Sequence, residues 1–153
     1  MLDIACGNGR HTRFFLDRGH EVVAVDIDVS RVAHLETSAH VKLIEADIER
    51  DIWPLSRARF DAVIVTNYLH RPLLDRLVEA VAPEGLLIYE TYARGNELWG
   101  PPSNPDFLLR PGELLEVVRG RLRVVAYEDV TVTEPRPAAI QRICAAAPPR
   151  HAA

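Results

Sequence analysis

Met1-Leu2-Asp3-Ile4-Ala5-Cys6-Gly7-Asn8-Gly9-Arg10-His11 opens the chain, and its reading decides the fold. Residues 2–5 form a short apolar run with an acid inside it, and residues 6–9 form a tight glycine turn. From Thr12 the pattern turns helical, with Phe14, Phe15 and Leu16 apolar and Gly19 as the stop. A buried strand that passes through glycines into a helix brings bare backbone N–H groups close to a ligand. A second strand over residues 21–26 then ends at Asp26. An acid in that place can accept hydrogen bonds from both hydroxyls of a ribose. Together these features imply an adenosine-type cofactor site.

The rest of the chain keeps the same alternation. Ser30 can cap a short helix over 31–38, and a strand over 41–46 leads to Asp47. A connection over 48–59 carries Trp53-Pro54. Residues 60–66 are nearly all apolar, as a central parallel strand should be. After a loop over 67–72, Leu74, Leu77, Val78 and Val81 recur at helical spacing within 73–81. Pro83-Glu84-Gly85 is a turn before a strand over 86–90. Residues 91–110 read as a structureless insert with Tyr92, Trp99 and Phe107 among prolines and glycines, a composition expected of a binding segment. Pro111 is placed as the first residue of a helix through Val118, ended by Gly120. Strands follow over 122–129 and 138–146, and Pro135-Arg136-Pro137 between them is too short for a crossover helix. The last two strands are therefore an antiparallel hairpin. The expected fold is α/β: a Rossmann-like three-layer sandwich whose seven-stranded, mostly parallel sheet ends in that hairpin.

Composition narrows the function. The chain has 153 residues, 48% hydrophobic, which suits one domain over residues 1–147 with a disordered tail at 148–153. A net charge of −4 argues against nucleic acid and anionic membranes as partners. The cations are 17 Arg and one Lys, Lys42, which reads as coding bias. Cys6 and Cys144 make no metal or disulfide pattern, so a reduced, cytoplasmic protein is expected. No apolar run approaches the roughly 20 residues of a membrane span. Met1 abuts the first strand, so a leader that would finish the strand and cover the cofactor is expected to be missing.

In this order the motifs resemble the class I S-adenosylmethionine-dependent methyltransferases. The opening is similar to that family's first motif, Val25-Asp26 to the second, Ala46-Asp47 to the third and Thr66-Asn67-Tyr68 to the fourth. Cys6-Gly7-Asn8-Gly9-Arg10, with Arg110-Pro111-Gly112-Glu113-Leu114 and the run from Val124 to Val130, resembles the tellurite-resistance (TehB-like) branch. The resemblance implies S-adenosylmethionine held by Asp3, Ala5, Gly7, Asn8, Gly9 and Arg10, with Asp26 on the ribose and Ile27 beside the adenine. It places Asp47 and Ile48 on the adenine edge and the Thr66 and Asn67 carbonyls on the amino group. Tyr68 would wall the methyl channel. Ala5 stands where the family has glycine, and an extended backbone is expected there.

His70, just beyond the fourth strand, is the candidate general base. Arg10 and Arg71 are candidates for a carboxylate or an anionic acceptor, and Tyr92, Arg94, Trp99 and Phe107 for the acceptor pocket. The implied reaction is methyl transfer to a small molecule, tellurite- or selenite-like oxyanions and thiols included. Two other functions compete. A nicotinamide oxidoreductase wants a third glycine where Thr12 stands and lacks the reversed hairpin. A non-catalytic cofactor- or partner-binding module shares every feature except turnover. Asn67-Tyr68-Leu69-His70 lacks the prolines of the Asn-Pro-Pro-Tyr motif, which argues against methylation of nucleic-acid bases.

Overall fold

A computed structural model describes residues 1–149. Seven strands form one sheet in the order β3-β2-β1-β4-β5-β7-β6. They are β1 (Leu2–Ile4), β2 (Val22–Asp26), β3 (Val41–Glu45), β4 (Phe60–Thr66), β5 (Val81–Tyr92), β6 (Arg123–Val132) and β7 (Ala138–Ala146). β1 to β5 pair in parallel, and β7 runs antiparallel to both β5 and β6. The hairpin is therefore inserted with its second strand inside and its first at the edge.

Alternation along the strands builds two cores. Leu2 and Ile4 face one side with Val63, Val65, Leu87 and Tyr89, where α2 (Leu74–Glu79) and α3 (Glu113–Val118) supply Leu77, Val78, Leu114 and Val118. Val22 and Ala24 face the other side, under Phe15 and Leu16 of α1 (Arg10–Leu16) and Val32 of a 3₁₀ segment, Ser30–Thr37. That second layer covers β1 to β3. Over β5, β7 and β6 an open groove of about 540 Å³ remains, with Glu90, Arg142 and Glu128 across it.

Several boundaries move from their expected places, each for a local reason. Pro111 is outside α3, because Gly112 is left-handed (φ +70°) and the helix begins at Glu113. Ser30 does not cap its segment; the Asp28 carboxylate accepts from the Ser30 N–H at 2.9 Å instead. The turn at residues 83–85 lies within β5, which pairs with β4 on both sides of it, at Val81 and from Leu86 onward. Residues 91–110 are not structureless. Ala93 bridges Leu109, two 3₁₀ turns lie between, and the buried Asn96 side chain donates to the Gly100 and Pro102 carbonyls. Of the expected tail, the Pro148 carbonyl accepts from the Glu84 N–H at 3.4 Å, and residues 150–153 lie outside the described residues. No helix among the described residues is long and apolar enough to cross a membrane.

Candidate functional site

β1 has β2 on one side and β4 on the other, so the chain leaves the carboxyl edge in opposite directions at this point. Open α/β sheets bind ligands in the crevice such a reversal leaves. A cleft of about 450 Å³ lies there, lined by Ala5 from β1, Asp26 and Ile27 from β2, residues 46–50 beyond β3, and Tyr68 beyond β4.

The glycine turn is shaped by positive φ angles: +52° at Ala5, +54° at Gly7 and +73° at Gly9. The extended backbone expected at Ala5 is thus corrected. The chain must turn directly after β1, where the Cys6 N–H still donates to the Val25 carbonyl at 3.1 Å. The position in the turn therefore sets φ, and the alanine methyl tolerates it at some strain. At Gly9 a Cβ would lie 2.5 Å from Val32 Cγ1, so only glycine lets the 3₁₀ segment approach. At Gly7 a Cβ would meet nothing within 4 Å, so bare backbone faces open space. Asn8 and Arg10 are exposed at the tip and the helix start.

Two acids hold this turn. Asp26 Oδ2 accepts from the Gly7 N–H at 2.8 Å and its Oδ1 from the Asp28 N–H at 3.1 Å. Asp3, 2% exposed, accepts from the Thr12 hydroxyl at 2.7 Å. Its partner thus comes from α1 and not from the glycine turn. Burial pushes the Asp3 carboxyl above its ordinary range, and the Thr12 hydroxyl partly offsets this. Thr12 occupies the third fingerprint position, fully buried against the sheet.

Beyond β3, Asp47 Oδ1 accepts from the Glu49 and Arg50 N–H groups at 3.1 and 3.3 Å. Ile48 is buried in the core, whereas Ile27 is 64% exposed, an apolar side chain with nothing resting on it. Beyond β4, Thr66 ends the strand and Asn67 is left-handed (φ +54°), its N–H on the Glu90 carbonyl at 2.9 Å. The Tyr89 hydroxyl fixes the Tyr68 carbonyl at 2.8 Å. The Tyr68 hydroxyl itself is buried and has no hydrogen-bond partner, the one such side-chain atom among the described residues. Burial, then Glu49, whose carboxylate acts on the hydroxyl by charge and as a nearby acceptor without meeting hydrogen-bond geometry, and then the charges of Asp47 and Asp26 push its pKa up, so it is a protonated donor. His70 stands with Nδ1 3.7 Å from a Glu49 carboxylate oxygen.

Glu49 was not among the residues singled out in the sequence. The signal was an acid two places beyond Asp47 at a strand end. Arg71, by contrast, is corrected as an anion-binding candidate: its guanidinium donates to Glu113 at 2.7 and 3.0 Å and to the Asp106 and Leu108 carbonyls. Tyr92, Arg94, Trp99 and Phe107 do not line the cleft. The Tyr92 hydroxyl accepts from Arg136, Arg94 is exposed, and Trp99 and Phe107 are about half exposed.

Comparison with known proteins agrees with this geometry. A model of the methyltransferase-domain family matches residues 1–85, more than half of the chain. The chain therefore belongs to the methyltransferase-domain family. It is 34% identical over 103 residues to the malonyl-[acyl-carrier protein] O-methyltransferase of Pseudescherichia vulneris, covering 63% of this chain and 40% of that protein. The chain spans between 39% and 55% of the length of the curated relatives it matches. The fold is that of TehB from Haemophilus influenzae (TM-score 0.75, 16% identity, covering 95% of this chain and 56% of that one). It is likewise that of the Burkholderia thailandensis 1,6-didemethyltoxoflavin-N1-methyltransferase, solved with its substrate and S-adenosylhomocysteine. There the TM-score is 0.71 and the identity 21%, covering 96% of this chain and 70% of that one.

Proposed function

We propose that the cleft binds S-adenosylmethionine and that the protein transfers its methyl group to a small-molecule acceptor. One observation carries this reading: Tyr68, whose buried hydroxyl has no hydrogen-bond partner, lines the same cleft as a strand-end carboxylate, Asp26. Buried polar groups are nearly always satisfied, so an exception at a concave edge is a place kept for a ligand. The residues fit the cofactor. Asp26 accepts from the ribose hydroxyls, Ile27 packs beside the adenine, Asp47 accepts from its amino group and the Ile48 N–H donates to its ring. Asp3, Ala5, Gly7, Asn8, Gly9 and Arg10 surround the methionine end, with the Thr66 and Asn67 carbonyls.

Bound there, S-adenosylmethionine supplies an already activated methyl group, so little covalent chemistry is asked of the protein. Its residues align the acceptor and exclude water. Tyr68 donates a hydrogen bond and His70 takes a proton where the acceptor carries one. Trp99 and Phe107, with Tyr92 and Arg94, form the outer rim on the acceptor side. The unit spans residues 1–147, belongs to the TehB-like branch and works in the cytoplasm. A nicotinamide cofactor is disfavoured because Thr12 is packed onto Asp3 where a dinucleotide fingerprint needs glycine.

Titration calorimetry with S-adenosylmethionine, S-adenosylhomocysteine and NAD tests the reading. Binding of the first two and not the third is expected. Binding of NAD alone would contradict it, and binding of the first two without turnover of any acceptor would leave a non-catalytic module.

A further inference from the structure

Among the described residues, Tyr68 is the one from beyond β4 that lines the cleft. Asp26 and Ile27 come to it from the β2 end, and Asp47 and Ile48 from beyond β3. His70, two places further along the chain, does not line it, and neither do Trp99 and Phe107. Two hydrogen bonds fix the tyrosine in this company. The Asn67 N–H donates to the Glu90 carbonyl at 2.9 Å, and the Tyr89 hydroxyl donates to the Tyr68 carbonyl at 2.8 Å. Tyr68 also packs against the core that holds Ile48. Its hydroxyl ends buried and without a partner. The Glu49 carboxylate comes near but stays outside hydrogen-bond geometry, and its side chain is half exposed to water.

A phenol hydroxyl kept this way is a donor for whatever fills the space beside it. With Asp47 on the amino group and the Ile48 N–H on the ring, that space belongs to the adenine. Adenine carries two more ring nitrogens, N3 and N7, each an acceptor that loses its water when the base is buried. We propose, resting on the methyl-transfer reading above, that the Tyr68 hydroxyl donates to one of these two nitrogens. Tyr68 then determines which base the cleft takes and is not a wall of the methyl channel. Asp47 accepts where adenine donates, and Tyr68 donates where adenine accepts. A base without that nitrogen leaves the hydroxyl as unsatisfied as it is in the free protein, so it forgoes the bond.

Calorimetry with three ligands tests the proposal: S-adenosylhomocysteine and its 3-deaza and 7-deaza analogues, in which C–H replaces one ring nitrogen. Each is titrated into the unmodified protein and into Tyr68→Phe. In the unmodified protein one analogue should bind about fivefold more weakly than S-adenosylhomocysteine. Tyr68→Phe should weaken S-adenosylhomocysteine by about the same factor. The weaker analogue should bind both proteins alike, within about twofold, because the bond that the substitution removes is one it never makes. The analogue indifferent to Tyr68→Phe identifies the nitrogen. An S-adenosylhomocysteine affinity unmoved by Tyr68→Phe overturns the proposal. So does an equal loss for all three ligands, which would put the hydroxyl on the ribose, the amino-acid end or Glu49. Failure of S-adenosylhomocysteine to bind the unmodified protein overturns the methyl-transfer reading itself, and the proposal with it.

Discussion

The two ends of the carboxyl edge treat their buried polar groups in opposite ways. Around α3 and the 91–110 loop the buried Glu113, Gln141 and Asn96 side chains are closed by protein. Glu113, 5% exposed, accepts from Arg71 and from the Arg110 N–H at 2.7 Å. Gln141, fully buried, donates to the Arg110 carbonyl at 2.7 Å and accepts from the Leu114 N–H at 3.3 Å. Asn96 closes its own loop and accepts from the Ala139 N–H. At the β1–β4 crevice the Tyr68 hydroxyl is unpartnered, Ile27 is uncovered, and Ala5 and Asn67 hold left-handed backbone. The first region is built for rigidity. The second keeps unsatisfied groups and local strain in one place, where a bound molecule can use them.

Substitutions can break that contrast from either side. The largest effect is expected from Glu113→Ala, which leaves Arg71 half-buried without its carboxylate; denaturant unfolding should show a loss of about 3–5 kcal/mol. The same carboxyl gives the pH dependence. Its arginine and backbone donors outweigh burial and hold its pKa at about 2, below the ordinary value of 4.5. A depressed acid contributes stability above its unfolded pKa. That contribution should be complete above pH 4.5 and disappear as pH falls toward 2, and Glu113→Gln should flatten this part of the curve.

On the other side, Asp26→Ala should weaken S-adenosylhomocysteine by about 2–4 kcal/mol in calorimetry through two lost charge-assisted bonds. Tyr68→Phe should behave unlike an ordinary core substitution. The free protein should gain up to about 1 kcal/mol by losing an unsatisfied hydroxyl, while ligand binding falls by a similar amount. Ala5→Gly is the smallest expected change, a gain of about 0.5–1 kcal/mol in thermal unfolding as left-handed strain is relieved. A loss there would mean that the alanine methyl contributes packing that outweighs its backbone cost.

The sequence carried the sheet well wherever a strand is a continuous apolar run or is bounded by proline. Phe60–Thr66 and Ala138–Ala146 stand at their expected limits, and the short Pro135-Arg136-Pro137 link forces the hairpin. It carried poorly what depends on partners distant in the chain. Arg71 read as an anion-binding candidate and Glu113 as part of a branch motif, not as partners, because 42 positions separate them and only the docked loop brings them together. Glu49 was passed over for the same reason, since its neighbours Tyr68 and His70 come from another strand end. Ala5 misled because its side chain was weighed and its place in the turn was not. Asp26, Ile27 and Asp47 were legible because a strand end fixes direction, and the cleft does gather them.

The most direct test of the contrast is the crystal structure of the protein with S-adenosylhomocysteine bound. The ribose hydroxyls should lie on the Asp26 carboxylate, the base beside Ile27 with its edge on Asp47 and the Ile48 N–H, and an acceptor atom of ligand or ordered water within about 3.2 Å of the Tyr68 hydroxyl. The Glu113 cluster should be unchanged. A ligand bound away from Asp26, or a Tyr68 hydroxyl still without a partner in the occupied cleft, would contradict the account.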